Sequence, residues 1–458
     1  MRGIGGPLEK YRFAIALGAI ALLALAIRIA FVVIVAPTVP RLGDANAYHL
    51  LAGQLADGKG YIRPFDHLLL HRERPTAEYP PLFPLLLSFA TRLGLDTIEQ
   101  QRIFLSFVGA GTVTLVGLLG RRVGGRAVGL AAAALAAVYP MLFLGEATLM
   151  SESLYVALVT LVLLCAYRAY DDPNVSRFVV LGVAIGAATL TRAEGLLLGA
   201  LVVAALVVAL RGLPSRERLA RLAIALGVTV ALLVPWTIRN AVQLHAFVPV
   251  SNNAATLVDG ANCDATYRGA QLGLWRASFA TRSDQARLGT TVPQAEACFE
   301  GFDIADPHFD EAKASSKDLR AGASYARHHL GSLPKVAAVR VLRTWGVYSP
   351  GQQVSFESLE GRPRAWQMRG TVMYWFLAPL AVVGAVLLRR RKRLIAPLVA
   401  TAVTVTIGAA LTYGQQRFRI AAEPAILVLA AVPLVALARS ALRYVTAVRS
   451  STGETKTT

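Results

Sequence analysis

The stretch RLGDANAYHLLAGQLADGKGYIRPFDHLLLHRERPTAEYPPLFP, residues 41–84, is a polar segment between two long apolar ones. It contains three aspartates, two glutamates, three histidines and five arginines or lysines. Elsewhere the chain places few ionisable groups between its apolar runs. We therefore expect the chemistry of the protein to lie in this segment.

The composition predicts a membrane protein. Of the 458 residues 55% are apolar and only 16% are charged, and the mean hydropathy is +0.50. Repeated apolar runs of about 20 residues predict several membrane spans and exclude a soluble domain. The net charge of +19 indicates cytoplasmic loops and anionic lipid rather than nucleic acid, because no basic segment is interleaved with aromatic residues.

The first apolar run, residues 13–37, follows a charged N-terminal segment, as in a signal sequence. It is too long for a cleaved signal, and no clear small-residue cleavage site follows it. We predict an uncleaved span that enters from the cytoplasm. Arg28, within this span, is expected to snorkel or pack rather than to catalyse.

Ten apolar segments are predicted to cross the membrane. They are residues 13–37, 98–120, 127–144, 153–170, 177–191, 193–211, 217–238, 368–388, 394–412 and 419–439. A further apolar segment, residues 81–95, would cover roughly 22 Å as a helix, less than a hydrocarbon core of about 30 Å. If it does not cross, the basic clusters at 121–126, 211–221 and 389–393 all lie on the cytoplasmic side. The positive-inside rule therefore favours cytoplasmic termini and an interfacial or re-entrant helix at 81–95.

This topology places most boundary charges on the outer face. Residues 178–211 are too few for two full spans, which need about 40 residues, so Arg192 and Glu194 are expected below the outer surface. An ion pair at that depth is a candidate functional site. The alternative is a structural salt bridge that closes a helical hairpin.

The only long polar segment besides the first loop is residues 240–366. Its two cysteines, Cys263 and Cys298, would face an oxidising compartment, whereas Cys165 lies in a span. We predict a disulfide between Cys263 and Cys298. Residues 310–341 have helical periodicity and are expected on the membrane surface.

Five motifs occur in a characteristic order. They are GD at 43–44, EYPPLFP at 78–84, SESL at 151–154, LTRAEG at 190–195, and RFR at 417–419 followed by Pro424. Together they resemble the GT-C polyprenyl-phosphate-sugar transferases, in particular the bacterial branch with the protein O-mannosyltransferases and the lipid A aminoarabinose transferase. The resemblance covers residues 1–240 and the last two spans, and residues 241–366 match actinobacterial members only loosely.

The resemblance implies an all-α polytopic membrane protein. Its helical bundle would be of the GT-C type, with external juxtamembrane helices and one large external loop. The implied divisions are a transmembrane catalytic module at 1–239 that includes a first external loop at 38–97, an external loop region at 240–366, and the C-terminal spans and cytoplasmic tail at 367–458.

The implied reaction transfers a sugar from a polyprenyl-phosphate carrier to an acceptor at the outer face of the cytoplasmic membrane. Such a reaction needs one carboxylate to take the acceptor's proton and cations to stabilise the departing phosphate. Direct displacement inverts the anomeric centre. The implied partners are the lipid-linked donor, membrane lipid and a glycan, lipid or protein acceptor, with no nucleic acid.

Two acidic residues match the family's catalytic positions. Asp44 is the expected general base, and the alternative is an N-cap for a helix that starts at Ala45. Glu152 is expected to orient the acceptor or share the base role, and the alternative is a partner of the helix dipole.

Arginines are expected to bind the phosphate because the guanidinium fork donates two hydrogen bonds and stays charged near lipid. The candidates are Arg192, Arg417 and Arg419, with Arg239 and Arg74 behind them. The alternative is that they anchor the protein to lipid headgroups. Glu78, Tyr79, Glu194 and Tyr413 complete the expected substrate-binding set.

A divalent metal is an open possibility. Glu78 matches a position that helps to hold a metal in the aminoarabinose branch, with His71 or His67 as further ligands. The mannosyltransferases of the group are described as needing no metal, so no cofactor is expected to be required.

One departure from the family concerns the acceptor. Asp44 is followed by Ala45 instead of the glutamate typical of the protein mannosyltransferases, which favours a glycan or lipid acceptor. A rival function is a lipid or sugar transporter or flippase, but the chain shows no internal repeat. A membrane acyltransferase or phosphotransferase is a second rival, and no nucleophile elbow supports it.

Overall fold

The computed structural model describes residues 7–36, 43–278, 298–300 and 306–453. The start of the predicted first loop, residues 38–42, and part of the predicted loop region 240–366 lie outside the described residues. Within the described part the regular structure is helical, apart from a parallel pair of two-residue strands, β1 (Ala277–Ser278) and β2 (Phe299–Glu300). The prediction of an all-α membrane protein is confirmed.

The described residues form nineteen α-helices. In chain order they are α1 (Pro7–Ile34), α2 (Asp44–Ala56), α3 (Pro64–Leu70), α4 (Leu82–Arg92), α5 (Ile98–Gly124), α6 (Arg126–Val138), α7 (Pro140–Ala147), α8 (Glu152–Asp171), α9 (Val175–Thr191), α10 (Glu194–Ala209), α11 (Ser215–Leu244), α12 (Ala254–Gly260), α13 (Asp264–Tyr267), α14 (Glu311–His328), α15 (Leu333–Thr344), α16 (Pro350–Ser358), α17 (Arg364–Arg390), α18 (Ala396–Leu411) and α19 (Glu423–Gly453). The described residues also form two 3₁₀ turns, Gly269–Gln271 and Gln416–Ala421.

All ten predicted spans lie on helices, but the helices differ in length. Among the described helices, six are long and apolar enough to cross a membrane: α1, α5, α8, α11, α17 and α19. The pair α6 and α7, bent by 47°, makes a seventh span if it is counted as one. The other three predicted spans correspond to α9, α10 and α18, which have 17, 16 and 16 residues. At 1.5 Å per residue these helices cover only about 25 Å.

The bend between α6 and α7 brings a buried ion pair together. It occurs at Tyr139, whose α conformation is disfavoured by the following Pro140. The bend directs α7 towards α1, where Glu146 Oε2 lies 3.0 Å from Arg28 Nε, and both side chains are buried. Arg28 therefore packs inside the bundle rather than snorkelling to the membrane surface.

Glycines allow α5 and α6 to pack closely. A Cβ atom on Gly129 would lie 2.5 Å from the carbonyl oxygen of Gly117, and one on Gly120 would lie 3.0 Å from the Cα atom of Gly129. Close backbone approach of this kind is typical of membrane helices, whose packing relies on van der Waals contact.

The described part of the first loop, residues 43–97, contains three helices, α2, α3 and α4, where the sequence predicted juxtamembrane helices. Helix α3 has seven residues, and α4 corresponds to the predicted interfacial helix at 81–95. Helices α2 and α4 pack through buried aromatic side chains, with the ring of Tyr48 4.8 Å from those of Tyr79 and Phe83. This small core holds the start of α2 against the segment before α4.

The region between α11 and α17 is cross-linked. Cys263 and Cys298 form a disulfide with Cα atoms 5.4 Å apart, and Cys165 is buried in α8. Helices α14 and α15 occupy the segment predicted to be helical at 310–341. Asp310 caps α14 by accepting a hydrogen bond from the Lys313 amide, which satisfies a free donor in the first turn.

Candidate active site

Four charged residues from separate parts of the chain meet at one end of the bundle. Asp44 is the first residue of α2 and Glu152 is the first residue of α8. Arg192 lies between α9 and α10, and Arg417 lies in the 3₁₀ turn that leads to α19. The sequence had marked all four, and the fold brings them within ion-pair distance of one another.

Asp44 combines a fixed orientation with access to solvent. Its Oδ1 accepts a hydrogen bond from the Tyr79 hydroxyl at 3.0 Å, and its Oδ2 lies 3.7 Å from Arg417 Nη1. The side chain remains 37% exposed. The N-cap of α2 is Gly43, and Asp44 lies inside the helix, so the alternative role as an N-cap is not observed.

Arg417 is the centre of the cluster. Its Nη1 lies 2.9 Å from Glu360 Oε2, and its Nε donates to Gln415 Oε1 at 3.0 Å. Glu152 Oε1 lies 3.7 Å from the same Nε. The side chain is only 10% exposed, so these carboxylates compensate for the loss of hydration of its charge.

Glu152 is enclosed by cations. Its side chain is 2% exposed and lies 3.1 Å from Arg192 Nη1 in addition to the contact with Arg417. A carboxylate held between two guanidinium groups is stabilised in its charged form, which makes it a counter-ion. Glu152 is thus placed to orient both arginines rather than to take a proton from an acceptor.

Arg192 links two carboxylates. Its Nη2 lies 3.0 Å from Glu194 Oε1, as the alternative of a hairpin salt bridge requires. Its Nη1 reaches across to Glu152, and it also donates to Ser151 Oγ at 3.3 Å. The pair is therefore part of the central cluster and not an isolated clamp between α9 and α10.

Arg419 does not join the cluster. It is fully buried, with Nε 2.6 Å from Glu423 Oε1 and its guanidinium carbon 3.5 Å from the centre of the Tyr374 ring. In a 3₁₀ turn with three residues per turn, side chains two positions apart point in different directions. Arg419 therefore does not share a face with Arg417. The ring of Tyr413 lies 4.9 Å from that of Phe418, the residue that follows Arg417.

Arg239 and Arg74 hold the first loop in place. Arg239 donates to the carbonyl oxygens of Thr76 and Tyr61 at 2.5 and 2.6 Å. Arg74 Nη1 lies 3.2 Å from Asp66 Oδ2. These donors are engaged within the protein, so their contacts favour a structural role over the predicted phosphate role.

Glu78 precedes the tyrosine that contacts Asp44. Its Oε2 lies 3.7 Å from Arg63 Nη1, and the side chain is partly buried. Burial raises the pKa of Glu78 to about 7 despite the neighbouring Arg63, and Glu311 and Asp44 raise it further. This carboxyl group therefore changes its charge near neutral pH.

The residues considered for a metal do not form a site. Glu78 faces the guanidinium of Arg63, and His71 is exposed at the end of α3 with a left-handed φ of 52°. Across the described ranges no group of three or more histidine, cysteine, aspartate or glutamate side chains is arranged to hold a metal ion.

Sequence reasoning missed three charged residues of the site. Glu357 lies in the last turn of α16, and Glu360 and Arg362 lie between α16 and α17. The two glutamates contact Arg417, and Arg362 contacts Glu357. A signal was present, because residues 356–364, FESLEGRPR, place four charges directly before a span. The segment was overlooked because it belongs to the loop region that matched the family only loosely.

Part of the chain is similar to a known protein family. Residues 78–238 match the family model described as dolichyl-phosphate-mannose-protein mannosyltransferase. This match covers about a third of the chain and includes Glu78, Glu152 and Arg192. No match was found among curated protein sequences.

Solved structures of an oligosaccharyltransferase from Archaeoglobus fulgidus are similar over nearly the whole chain. AglB in complex with an inhibitory peptide and a dolichol-phosphate is 14% identical, with a TM-score of 0.53 over 97% of this chain and 52% of its own. The enzyme tethered with an acceptor peptide is 15% identical, with a TM-score of 0.54 over 95% of this chain and 50% of its own. This is a GT-C fold.

The GT-C fold predicted from the motifs is thereby confirmed. The GT-C chain described here spans about half the length of the archaeal enzymes it matches. ArnT from Cupriavidus metallidurans, bound to undecaprenyl phosphate, is 16% identical, with a TM-score of 0.42 over 91% of this chain and 77% of its own.

Proposed function

We propose that the protein is an inverting glycosyltransferase that moves a sugar from a polyprenyl-phosphate carrier to an acceptor at the outer face of the cytoplasmic membrane. One observation carries this proposal: a solvent-accessible carboxylate, Asp44, lies 3.7 Å from a nearly buried guanidinium, Arg417. A base and a phosphate-binding cation side by side are the two groups that such a transfer needs.

Asp44 is the proposed general base. The acceptor hydroxyl oxygen attacks the anomeric carbon, and the bond from that carbon to the phosphate oxygen breaks. Asp44 takes the hydroxyl proton, and the products are the inverted glycoside and the polyprenyl phosphate. The hydrogen bond from Tyr79 at 3.0 Å orients the carboxylate for this step.

Arg417 is the proposed ligand of the leaving phosphate. Its guanidinium is held near the end of the spans by Gln415 and Glu152, where a lipid phosphate can approach from the bilayer. Arg192 supports it from the other side of Glu152. The dolichol-phosphate complex of the archaeal enzyme with this fold supports a lipid phosphate as the donor's leaving group.

The acceptor is proposed to be a glycan or a lipid. Asp44 is followed by Ala45, so the acidic doublet of the protein mannosyltransferases is missing. The transferred sugar is proposed to be a hexose or a pentose.

A transfer assay tests the proposal. The purified protein in bilayer discs is incubated with a panel of radiolabelled polyprenyl-phosphate sugars and with membrane extract as the source of acceptor. We expect label on a component of the extract with the wild-type protein. For Asp44→Asn we expect transfer at least about a hundredfold slower, because the amide keeps the size of the side chain and removes the base.

Asp57→Asn is the matched control. Asp57 follows the same helix at its other end, and its side chain is 61% exposed, so this variant should transfer at the wild-type rate. Wild-type turnover by Asp44→Asn would disprove the assignment of the base. Movement of the lipid between leaflets without consumption of the donor would instead indicate a flippase.

A further inference from the structure

The segment before α17 contributes a second arginine to the site. Arg362 and Arg417 line the same narrow cavity, together with Glu152, Gln416 and Glu423. Met141 and Ile420 form the apolar part of its lining. The charged lining consists of two guanidinium groups and two carboxylates. Glu152 pairs with Arg192, and Glu423 pairs with Arg419, so Arg362 and Arg417 are the groups of this cavity that an anion can contact.

Two buried donors in this cavity lack acceptors. Arg362 is 3% exposed, and Glu357 Oε2 lies 3.5 Å from its Nη1. Its Nε has no hydrogen-bond partner among the described residues, and neither has the Nε2 of the fully buried Gln416. An unpaired buried donor destabilises the protein, so a ligand that accepts from both would gain affinity.

Glu357 is a fixed carboxylate of the site. It is fully buried, and its Oε1 accepts from the Arg417 amide at 3.0 Å. Its Oε2 accepts from Gln367 Nε2 and lies near Arg362. Because both of its oxygens accept hydrogen bonds, Glu357 keeps Arg362 and Arg417 oriented and stays in place.

Glu360 is held more loosely. Its Oε2 lies 2.9 Å from Arg417 Nη1, its Oε1 is 3.5 Å from Gln415 Nε2, and the side chain is 24% exposed. The other charged groups that act on it are Arg362, Asp44 and Glu357. Burial raises the pKa of Glu360 to about 7, against the effect of Arg417. It can therefore leave Arg417 as a neutral group.

We propose that Arg362 and Arg417 together form the phosphate subsite of the donor, and that Glu360 occupies Arg417 only until the phosphate displaces it. The proposal rests on the proposed function and names its phosphate ligands. Arg362 Nε and Gln416 Nε2 supply donors to the phosphate oxygens, and Glu357 keeps both arginines oriented.

The charges of the cluster explain why the phosphate has to displace Glu360 from Arg417. Five carboxylates, Asp44, Glu152, Glu194, Glu357 and Glu360, surround three guanidinium groups, Arg192, Arg362 and Arg417. A phosphate added to this cluster would meet an excess of negative charge, which is costly away from water. Protonation of Glu360 as it leaves removes one competing charge, so binding of the phosphate is coupled to uptake of a proton.

Binding of a sugar-free lipid phosphate tests this proposal without any transfer step. The probe is undecaprenyl phosphate, titrated into the full-length protein in bilayer discs at about pH 6 and about pH 8.5. At the higher pH we expect Glu360→Gln to bind about tenfold more tightly than wild type, because the competing charge is gone. At the lower pH the two affinities should converge, because wild-type Glu360 then binds a proton. Comparison at the same pH cancels the ionisation of the phosphate itself.

Arg362→Gln is expected to weaken binding about tenfold at both pH values. Glu217→Gln on α11 is the control, since Glu217 pairs with Arg221 and is 54% exposed. It should bind like the wild type. Inorganic phosphate is expected to compete only weakly, and competition as strong as that of the lipid would assign the subsite to free phosphate and overturn the donor assignment.

The outcomes separate the two proposals. If Glu360→Gln and wild type bind undecaprenyl phosphate equally at the higher pH, the phosphate does not displace Glu360 from Arg417, and this part of the proposal is wrong. This result does not depend on whether Arg362→Gln can be purified. Wild-type affinity in a folded Arg362→Gln variant would remove this residue from the subsite. No binding of the lipid phosphate by the wild-type protein would refute the subsite and, with it, the proposed function.

Discussion

Two carboxylates of the site differ in role because their surroundings differ. Asp44 contacts one tyrosine hydroxyl and one distant guanidinium and remains partly exposed. Glu152 is enclosed between Arg192 and Arg417. A group that must accept a proton needs access to the substrate, whereas a counter-ion needs close cations. This difference supports the proposal that Asp44 is the base and Glu152 a positioning residue.

Glu78 gives a prediction about stability and pH. Burial raises its pKa from the ordinary 4.5 to about 7, so between these values the folded protein holds a proton that the unfolded chain has released. The stability of the folded protein should therefore fall as the pH rises from 4.5 to about 7. In Glu78→Gln this part of the fall should be absent. Melting temperatures of both proteins across this range measure the difference.

Glu99→Gln is the control for this experiment, because Glu99 is an exposed residue in the first turn of α5. Its melting curve should shift with pH as that of the wild type does. If Glu78→Gln and wild type lose the same stability between these pH values, the burial of Glu78 has no effect on its ionisation.

At the scale of elements, one residue of α14 holds the first loop in place. Glu311 Oε2 accepts from Arg63 Nη1 at 2.6 Å and from the Thr76 hydroxyl at 2.7 Å. Its Oε1 accepts from the Ala77 amide at 2.9 Å and from Asn252 at 2.7 Å. The segment that carries Glu78 and Tyr79 is thus attached to a helix more than 200 residues away in sequence.

Glu311→Gln should loosen this attachment. Removing one member of a buried ion pair costs about 3–5 kcal/mol, because Arg63 is left without its nearest charge. We expect faster amide hydrogen exchange in residues 61–78 and slower sugar transfer, since Tyr79 no longer holds Asp44 firmly. Lys313→Ala on the same helix is the control, because Lys313 is 87% exposed. Unchanged exchange in Glu311→Gln would show that α14 does not support the loop.

At the scale of the whole molecule, the site and the basic turns occupy opposite ends of the bundle. The site lies where α8, α10 and α19 begin, whereas the clusters at 121–126 and 389–393 lie where α5 and α17 end. Arg122 forms an ion pair with Asp171 at the end of α8, and Tyr167 donates to the carbonyl oxygen of Leu394 at 2.7 Å. These contacts bring the basic turns together at the end away from Asp44, as the positive-inside rule requires for an outward-facing site.

Cysteine labelling in intact cells tests this orientation. We expect a membrane-impermeant maleimide to label Lys59→Cys, in the first loop, but to label Arg391→Cys only after the membrane is opened. The native cysteines should not interfere, because Cys165 is buried and Cys263 is bonded to Cys298. Labelling of Arg391→Cys in intact cells, with Lys59→Cys protected, would place the site in the cytoplasm and overturn the localisation.

Much of the fold could be predicted from the sequence because its causes are local. Apolar runs and basic turns identify membrane helices one at a time, and the ten predicted segments are all helical. The same reasoning does not predict the position of the three short helices α9, α10 and α18 relative to the membrane. Length and hydropathy do not determine whether a short apolar helix crosses the membrane or is buried among its neighbours.

The sequence by itself also determined that Asp44, Glu152, Arg192 and Arg417 are candidates, because charges next to membrane spans are rare and costly without a function. Only the tertiary structure decided between Arg417 and Arg419, since a 3₁₀ turn directs one to Asp44 and the other to Glu423. It also brought Glu357, Glu360 and Arg362 to Arg417. Side-chain direction and the crossing of distant segments depend on packing in three dimensions, which no local pattern of residues records.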